Sequence, residues 1–477
     1  MAKVIIIGAG FAGHTAALYL GSALGKKHEI TVINKYDYFL FIPSLVWVSI
    51  DHMKHEKTHF PLAPVYKKMH INFVHGAVSE IHPDEQYVTV VPANGNEVQK
   101  LEYDYLINAT GPKLNFEATE GLGPHKGNTY SICTLEHTLQ TREKYLQMVE
   151  EMKKGKRFKI VVGTGHPGAT CQGAAFEFIS NLHKALLKLG LRDKADLLWL
   201  SNEPALGDFG VRGVQTKRKN RVYTSEEFAK EIFSEYGIEW EIQKGVYKVD
   251  EKVIYWEDYE GKKGETSYDF AMLIPQFLGV PIKYLDKEGN DVSSQIVNKA
   301  GLTIVDAIYG LPYDELVKNP DAWPGYYQNP TYPNIFAAGI AFAPPGTISR
   351  PHTNPNGMTI VPAPPRTGMV SGIIGRIVAK NIIDLIKRGR MTHHERMTEM
   401  VAACIASMGD SLWDGGAGTI IMYPVVPDNR RFPNEAGRDL FVTHMERGLA
   451  GAWMKRMIHT TFIWKFKGRP GWQIIPE

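Results

Sequence analysis

The chain has 477 residues, 44% of them apolar, which is ample for two or three packed domains and excludes a disordered polypeptide. Its 54 basic and 51 acidic side chains leave a net charge of +3, too balanced for a nucleic-acid surface over the whole molecule. Three cysteines, Cys133, Cys171 and Cys404, are too few for a disulfide framework in a chain this long, so each is either a buried filler or chemically employed. No metal site is expected. No secretory signal is expected, the first strand beginning almost at Met1, and no apolar run reaches the ~18 to 20 residues needed to cross a bilayer.

Val4 to Ile7 reads as a buried β-branched strand that runs into Gly8-Ala9-Gly10-Phe11-Ala12-Gly13 and then an Ala/Leu helix through Leu24. Strand, Gly-x-Gly-x-x-Gly turn and helix in that order form a dinucleotide-binding fingerprint, with backbone amides aimed at phosphates. The next strand, Glu29 to Ile33, ends at Asn34 where an acid usually holds the ribose hydroxyls. A carboxamide still donates to and accepts from a hydroxyl. The aromatic run Tyr36 to Pro43 packs around a cofactor ring or builds core, and spacing does not choose between them. Strands follow at Ile71 to Val78 and Tyr87 to Val91. Tyr103 to Gly111 is a further buried strand ending in Ala109-Thr110-Gly111. That element, with Gly8, Gly10 and Gly13 upstream, resembles FAD-dependent disulfide-reductase-like flavoproteins, whose first nucleotide fold binds FAD and whose second usually binds NAD(P)H.

A helical, lysine-rich run, Thr141 to Lys156, leads to a second fingerprint, Lys159 to Gly173, with glycines at 163, 165 and 168. Cys171, three residues past the last of them, shares the face of Gly168 if the helix already runs there, close to the positive end of the dipole where a thiolate is favoured. The thiol is either employed in chemistry or is a small gap-filler. Asp196 to Leu200 is the next strand and Tyr268 to Phe277 the closing one. Relatives that use NAD(P)H commonly carry a Glu two residues after the last glycine; Thr170 stands there, and with Pro167 and Cys171 it argues against a nicotinamide site. Pro333 to Gly339 returns the chain to the first fold. Val361 to Gly368 then opens a helix from about Met369 to Lys387, whose N-terminus, with Arg366, Thr367 and Gly368, lies where it neutralises negative charge on a reduced flavin.

Cys133 in Ser-Ile-Cys-Thr, Cys171 in Thr-Cys-Gln-Gly-Ala-Ala-Phe-Glu, the Leu-Ile-Pro-Gln-Phe strand, the Phe-Ala-Ala-Gly turn and Pro-Arg-Thr-Gly together resemble sulfide:quinone oxidoreductases over nearly all the chain. The resemblance implies an α/β protein with two Rossmann-like domains plus a C-terminal amphipathic membrane-binding region. Residues 1–113 and 325–388 are expected to bind FAD, 114–324 to carry the redox cysteine, and 389–477 to meet quinone and membrane. It implies that Cys171 accepts sulfur, Glu177 is the nearby acid, and Cys133 lies close to the flavin methyl groups. Arg366 falls where a Lys is common near the flavin. The FAD contacts expected are Gly8, Gly10, Gly13, Asn34, Thr110, Gly111, Gly339, Arg366, Thr367 and Gly368. One departure stands out: the resemblance places a second redox cysteine just after the Ala-Ala-Gly turn, where Ala341 stands, and Cys404 is no obvious substitute, so either Cys171 works with Cys133, or sulfur is held differently, or the chain is a divergent member with impaired sulfide chemistry.

From Arg447 to Pro476 there are six Lys or Arg and no acid, with Leu449, Trp453, Met457 and Trp464 near helical spacing and Ile458, Phe462 and Phe466 among them. Basic and aromatic together indicate a helix lying in lipid headgroups, peripheral to the cell membrane; a dimer interface is the competing use. Quinone is expected beneath this tail, near Met369 and Tyr423. The expected partners are therefore sulfide, quinone and a lipid surface, with no nucleic acid and the homo-oligomer left open. Competing functions are a non-proton-pumping NADH:quinone reductase, a flavocytochrome sulfide dehydrogenase subunit, which requires an export signal and no such tail, and a flavin scaffold without turnover, kept open by Ala341.

Overall fold

The computed structural model describes residues 1–95, 97–365, 367–409, 413 and 415–477. Lys3–Ile7, whose Val and Ile side chains are buried on both faces, is the centre of the first sheet, as expected of a strand covered by helices above and below. It pairs in parallel with Glu29–Asn34 on one side and Tyr105–Asn108 on the other. Asn72–His82 and Ile335–Ala337 extend the parallel part, and Tyr87–Pro92 and Gln99–Glu102 add an antiparallel edge. Lys283–Tyr284 also pairs with Asn72–His82. Tyr284, Val292 and Ile296 pack with Ile5, Ile7 and Ile33, so residues 283–296 belong with the first sheet although the sequence reading assigns them to the second unit.

The second sheet is fully parallel, in the order Ile238–Glu241, Ala195–Leu200, Phe158–Thr164, Phe270–Ile274. A third, antiparallel sheet of Ala402–Met408, Gly416–Met422 and His444–Gly448 lies between the helix Gln172–Lys188 and the C-terminal helix Leu449–Phe466. Two helices of the first domain, Phe11–Leu24 and Gly368–Arg388, touch backbone to side: a Cβ at Gly375 would stand 2.2 Å from the Ala12 carbonyl oxygen.

The C-terminal helix departs from the expected pattern. Its buried residues are Gly451, Ala452, Lys455, Lys465 and Phe466, while Trp453 and Met457 are 52% and 58% exposed. Lys455 and Lys465 therefore point inward and a stripe of Trp453, Met457 and Trp464 points outward, the reverse of an apolar face seated on the core. Phe462 and Phe466 turn the other way, into a cluster with Phe41, Phe39 and Phe11. Two buried polar contacts explain the orientation. The His14 Nε2–H donates to the Phe466 carbonyl at 2.7 Å, while the Tyr66 hydroxyl donates to Nδ1 at 2.9 Å. Burial drives the imidazole pKa down to about 4, so it stays neutral and holds this one tautomer. The Lys465 ammonium, fully enclosed, sits 2.8 Å from the Glu477 carboxylate and donates to the carbonyls of Ile475 and Pro476. No helix among the described residues is long and apolar enough to cross a membrane.

Removing one partner of an enclosed ion pair strands the other, at about 3–5 kcal/mol. Lys465→Met is expected to lower the unfolding free energy by that order in denaturant titration, and Lys465→Met/Glu477→Gln by clearly less. Equal losses would mean that the pair contributes through packing alone.

Candidate active site

The two glycine fingerprints have different interiors. In the first, Gly8 has φ +99° and a Cβ there would lie 2.2 Å from the Ala109 oxygen, while one at Gly13 would lie 2.0 Å from the Gly8 oxygen. Those glycines close the turn and let the helix approach the strand. Around the position of a Gly10 Cβ there is nothing within 4 Å, so the middle glycine faces open space. The helix Phe11–Leu24 carries no side-chain cap. Its first intrahelical bond is His14 N–H to Gly10 O, leaving the earlier amides for an anion. Asn34 accepts from the Ala9 amide at 2.9 Å and donates to the Tyr36 carbonyl at 2.7 Å, bracing the loop. Gly111, with φ +72°, also faces open space, and the Thr110 hydroxyl donates to Asn108 Oδ1. Gly339, with φ +67°, lies against Ala12, and Gly368 against the Phe11 ring. Thr367 caps the helix Gly368–Arg388 through the Val370 amide. Arg366 lies outside the described residues.

The second cradle is filled. At Gly165, the corresponding middle glycine, a Cβ would meet the Leu122 side chain at 2.5 Å. The loop carbonyls are occupied as well: Asn202 Nδ2 donates to Pro167 O and Ala169 O, the Val361 and Ala363 amides donate to the same two oxygens, and the Thr170 hydroxyl donates to Ala363 O. Glu203, the acid after the strand Ala195–Leu200, turns inward to accept from the Phe209 amide and the Ser201 hydroxyl, each at 2.7 Å. Burial raises its pKa to about 7. Leu122 takes the space at the middle glycine, and the Glu203 carboxylate is already engaged with the chain's own donors.

Cys171 is the residue before the helix, not part of it. The helix begins at Gln172, and Cys171 is its N-cap with φ 71°. Gly168 therefore does not share a helical face with it, contrary to the sequence expectation; the left-handed residue delays the helix. The thiolate expectation is also corrected. Burial, then the neighbouring Cys133, pushes the Cys171 thiol up to about 12, so desolvation outweighs the helix terminus. Cys404, on Ala402–Met408, is pushed up to about 11 by burial, then by Glu177, with Lys455 opposing and Cys171 adding. Burial likewise raises Cys133, whose amide donates to Ser131 Oγ. All three are free, partly accessible thiols.

The structure thus brings Cys404 to the Cys171 end of the helix. Its sulfur lies 3.3 Å from where a Cβ on Gly173 would be, so the glycine at the second position of the helix makes room for it. Ala341 is buried, its carbonyl bonded to the Thr303 amide. Glu177, one and a half turns along the helix, faces the cysteine strand: it accepts from the Ser407 amide at 3.0 Å and from the Ser407 hydroxyl. The Lys455 ammonium lies 3.0 and 3.1 Å from its two oxygens. Lys455 and Ser407 escaped the sequence reading, Lys455 because a lysine in a basic tail reads as solvated. Met369 adjoins the same strand, its sulfur accepting from the Ala403 amide at 3.2 Å. Tyr423 sits apart, its hydroxyl accepting from Arg431 at 2.8 Å beside Phe432.

Residues 2–275 match the family described as pyridine nucleotide-disulphide oxidoreductase. A sulfide-quinone reductase of Aquifex aeolicus (strain VF5) is 31% identical over 442 residues, spanning 92% of this chain and 87% of that protein. The chain belongs to the sulfide-quinone reductase family. The X-ray structure of the sulfide:quinone oxidoreductase from Aquifex aeolicus superposes with a TM-score of 0.79 at 29% identity, over 99% of this chain and 94% of that one. A type II NADH:quinone oxidoreductase of Staphylococcus aureus (strain NCTC 8325 / PS 47) is 23% identical over 98% of this chain and 96% of its own. The protein is an oxidoreductase enzyme and its cofactor is FAD. The open first cradle, with unpaired helix amides and no Cβ at Gly10, fits the diphosphate of that group.

Because the thiolate is the reacting form, a Cys171 pKa of about 12 leaves only ~10⁻⁴ of it ionised at pH 8. Haloacetamide labelling of Cys171 in the reduced protein is expected to be slow at pH 8 and to accelerate steadily as pH rises. Rapid labelling at pH 7 that no longer changes up to pH 9 would show an anionic cysteine instead.

Proposed function

We propose that the protein, held peripherally on the cell membrane, oxidises sulfide to sulfur or polysulfide and passes the electrons through FAD to a quinone. The observation that carries this reading is Cys171 with Cys133 and Cys404 both as neighbours, beside a second nucleotide turn packed by Leu122 and Asn202. The same packing disfavours the alternative, an NADH:quinone reductase, although relatives of that type match the chain end to end.

Cys171 and Cys404 serve as the sulfur-handling pair, with Cys404 in the role that the sequence leaves vacant at Ala341. In their oxidised form, hydrosulfide attacks one sulfur of the disulfide; a new S–S bond forms as the old one breaks, giving a persulfide on one cysteine and a thiolate on the other. When the disulfide closes again, one sulfur atom and a proton leave and two electrons are released, so over the cycle HS⁻ becomes sulfur, a proton and an electron pair. FAD supplies, when bound, the two-electron acceptor between sulfur and quinone. Lys455 places positive charge beside Cys404 and favours its thiolate, while Glu177, bonded to Ser407, is placed to hold or pass the proton. Cys133 completes the cluster towards the flavin. In this reading the residues of the first cradle, from Gly8 to Gly13 with Asn34, Thr110, Gly111, Gly339, Thr367 and Gly368, contact FAD, and Arg366 acts near its ring. Met369, beside the cysteine strand, is the better-supported quinone contact; Tyr423, on the Arg431 side, is the second.

Cys171→Ser and Cys404→Ser are each expected to abolish anaerobic flavin reduction by sulfide while quinone still reoxidises photoreduced flavin. Ala341→Cys is expected to leave the sulfide rate unchanged, and NADH to leave the parent flavin oxidised. A Cys404→Ser protein with the parent rate would remove Cys404 from the pair, and fast bleaching by NADH would favour the alternative.

The outward stripe supports the membrane reading: an interfacial helix presents Trp and Met to lipid. Trp453→Ser/Met457→Ser is expected to sediment with liposomes far less than the parent at equal flavin content. Unchanged sedimentation would place the attachment elsewhere.

A further inference from the structure

Between the first domain and the C-terminal helix lies a groove of about 480 Å³, lined by Lys57, Arg456, Lys467 and Arg469 together with Trp47 and Trp464. Glu56 is its one lining carboxylate, and it faces His55 at 3.4 Å. Most basic patches are neutralised by neighbouring acids. Here two of the cations rest on aromatic faces instead, Lys467 5.4 Å from Phe60 and Arg469 4.8 Å from Trp464, and Arg456 lies 5.6 Å from the Trp47 ring. An aromatic face orients a cation but does not cancel its charge. Among the described residues, no carboxylate forms an ion pair with Lys57, Lys467 or Arg469. The groove therefore keeps several positive charges, fixed in place, for an anion that the chain does not provide.

Its position says what kind of anion. Trp464 belongs both to the groove and to the outward stripe with Trp453 and Met457, so the charged cup opens onto the apolar surface assigned to lipid. Met53 and Ile463 form part of its wall, giving a cavity that is cationic at one part and apolar at another. That combination matches an amphiphile with a phosphate ester at its head. We propose that this groove is a binding site for the headgroup of an anionic glycerophospholipid, with the acyl chains leaving along the Trp453–Trp464 stripe. The proposal deepens the membrane reading above: attachment involves one seated headgroup and is not a diffuse attraction alone.

The test uses the full-length, flavin-loaded protein and dihexanoyl phosphatidylglycerol below its micelle concentration, titrated by calorimetry. Saturable binding of one lipid per chain is expected, with dihexanoyl phosphatidylcholine and inorganic phosphate at the same concentration binding far more weakly. Lys467→Gln/Arg469→Gln is expected to weaken binding about thirty-fold, which is about 2 kcal/mol for two cations, and Lys57→Gln, a milder change on a different element, several-fold. Retained flavin absorbance checks that each variant is folded. Equal affinity for inorganic phosphate would make this a free-anion site and overturn the proposal. Equal affinity for the phosphatidylcholine, or displacement by decylubiquinone without dependence on Lys467 and Arg469, would make it an uncharged amphiphile groove and overturn it equally. Phosphatidylglycerol liposomes separate the two levels: if the parent binds them and the double variant binds as well, the cup is wrong and the membrane reading stands, whereas a parent that binds no liposomes removes both.

Discussion

A carboxylate inside a protein must be compensated, and Glu177 is compensated by a lysine from the far end of the chain. The Lys455 ammonium, within about 3 Å of both Glu177 oxygens, offsets a desolvation penalty of several kcal/mol per ion only because Ser407 supplies two more hydrogen bonds to the same carboxylate. Much of the architecture follows from that requirement. Ser407 brings the strand Ala402–Met408, and with it Cys404, against the helix that Cys171 caps. Lys455 turns that face of the C-terminal helix inward, and Lys465 with Glu477 repeats the device further along the same helix. Once the lysines are inside, Trp453, Met457 and Trp464 have only the outside left.

Two copies of one nucleotide-binding plan have thus been given different contents. In the first the middle glycine, Gly10, looks into open space; in the second, Gly165 looks into Leu122. Leu122, Asn202 and the 361–364 segment pack against the second turn, and the helix that follows it is capped by a cysteine. Burial raises the pKa of every thiol in the cluster. A disulfide, which carries no charge, suits such a pocket better than a pair of thiolates would.

What was legible in the sequence was local. Each fingerprint, with strand, turn and helix inside some twenty residues, announced itself, and the helix Phe11–Leu24 ends where the apolar run does. The cysteine at 171 was visible because it interrupts a motif. Cys404 was not: its contact with the Cys171 end depends on an antiparallel sheet packing across more than two hundred residues of chain, and no spacing rule reaches that far. The start of the cysteine helix is not legible from spacing because a left-handed N-cap other than Gly, Asn or Asp is uncommon. The tail was recognised as basic and aromatic, but which side faced inward was decided by Glu177 and Glu477, both remote from it in the sequence. The pairing of Lys283–Tyr284 with the first sheet was equally hidden, being two residues long.

The central claim is that Cys171 and Cys404 handle sulfur as a pair. Peptide mapping under non-reducing conditions, on protein turned over with sulfide and excess quinone and then acid-quenched, tests it most directly. The account predicts that the peptide containing Cys171 is recovered linked to the one containing Cys404, as a disulfide or with additional sulfur atoms between them. Recovery of Cys171 joined to Cys133, with Cys404 unmodified throughout, would contradict it.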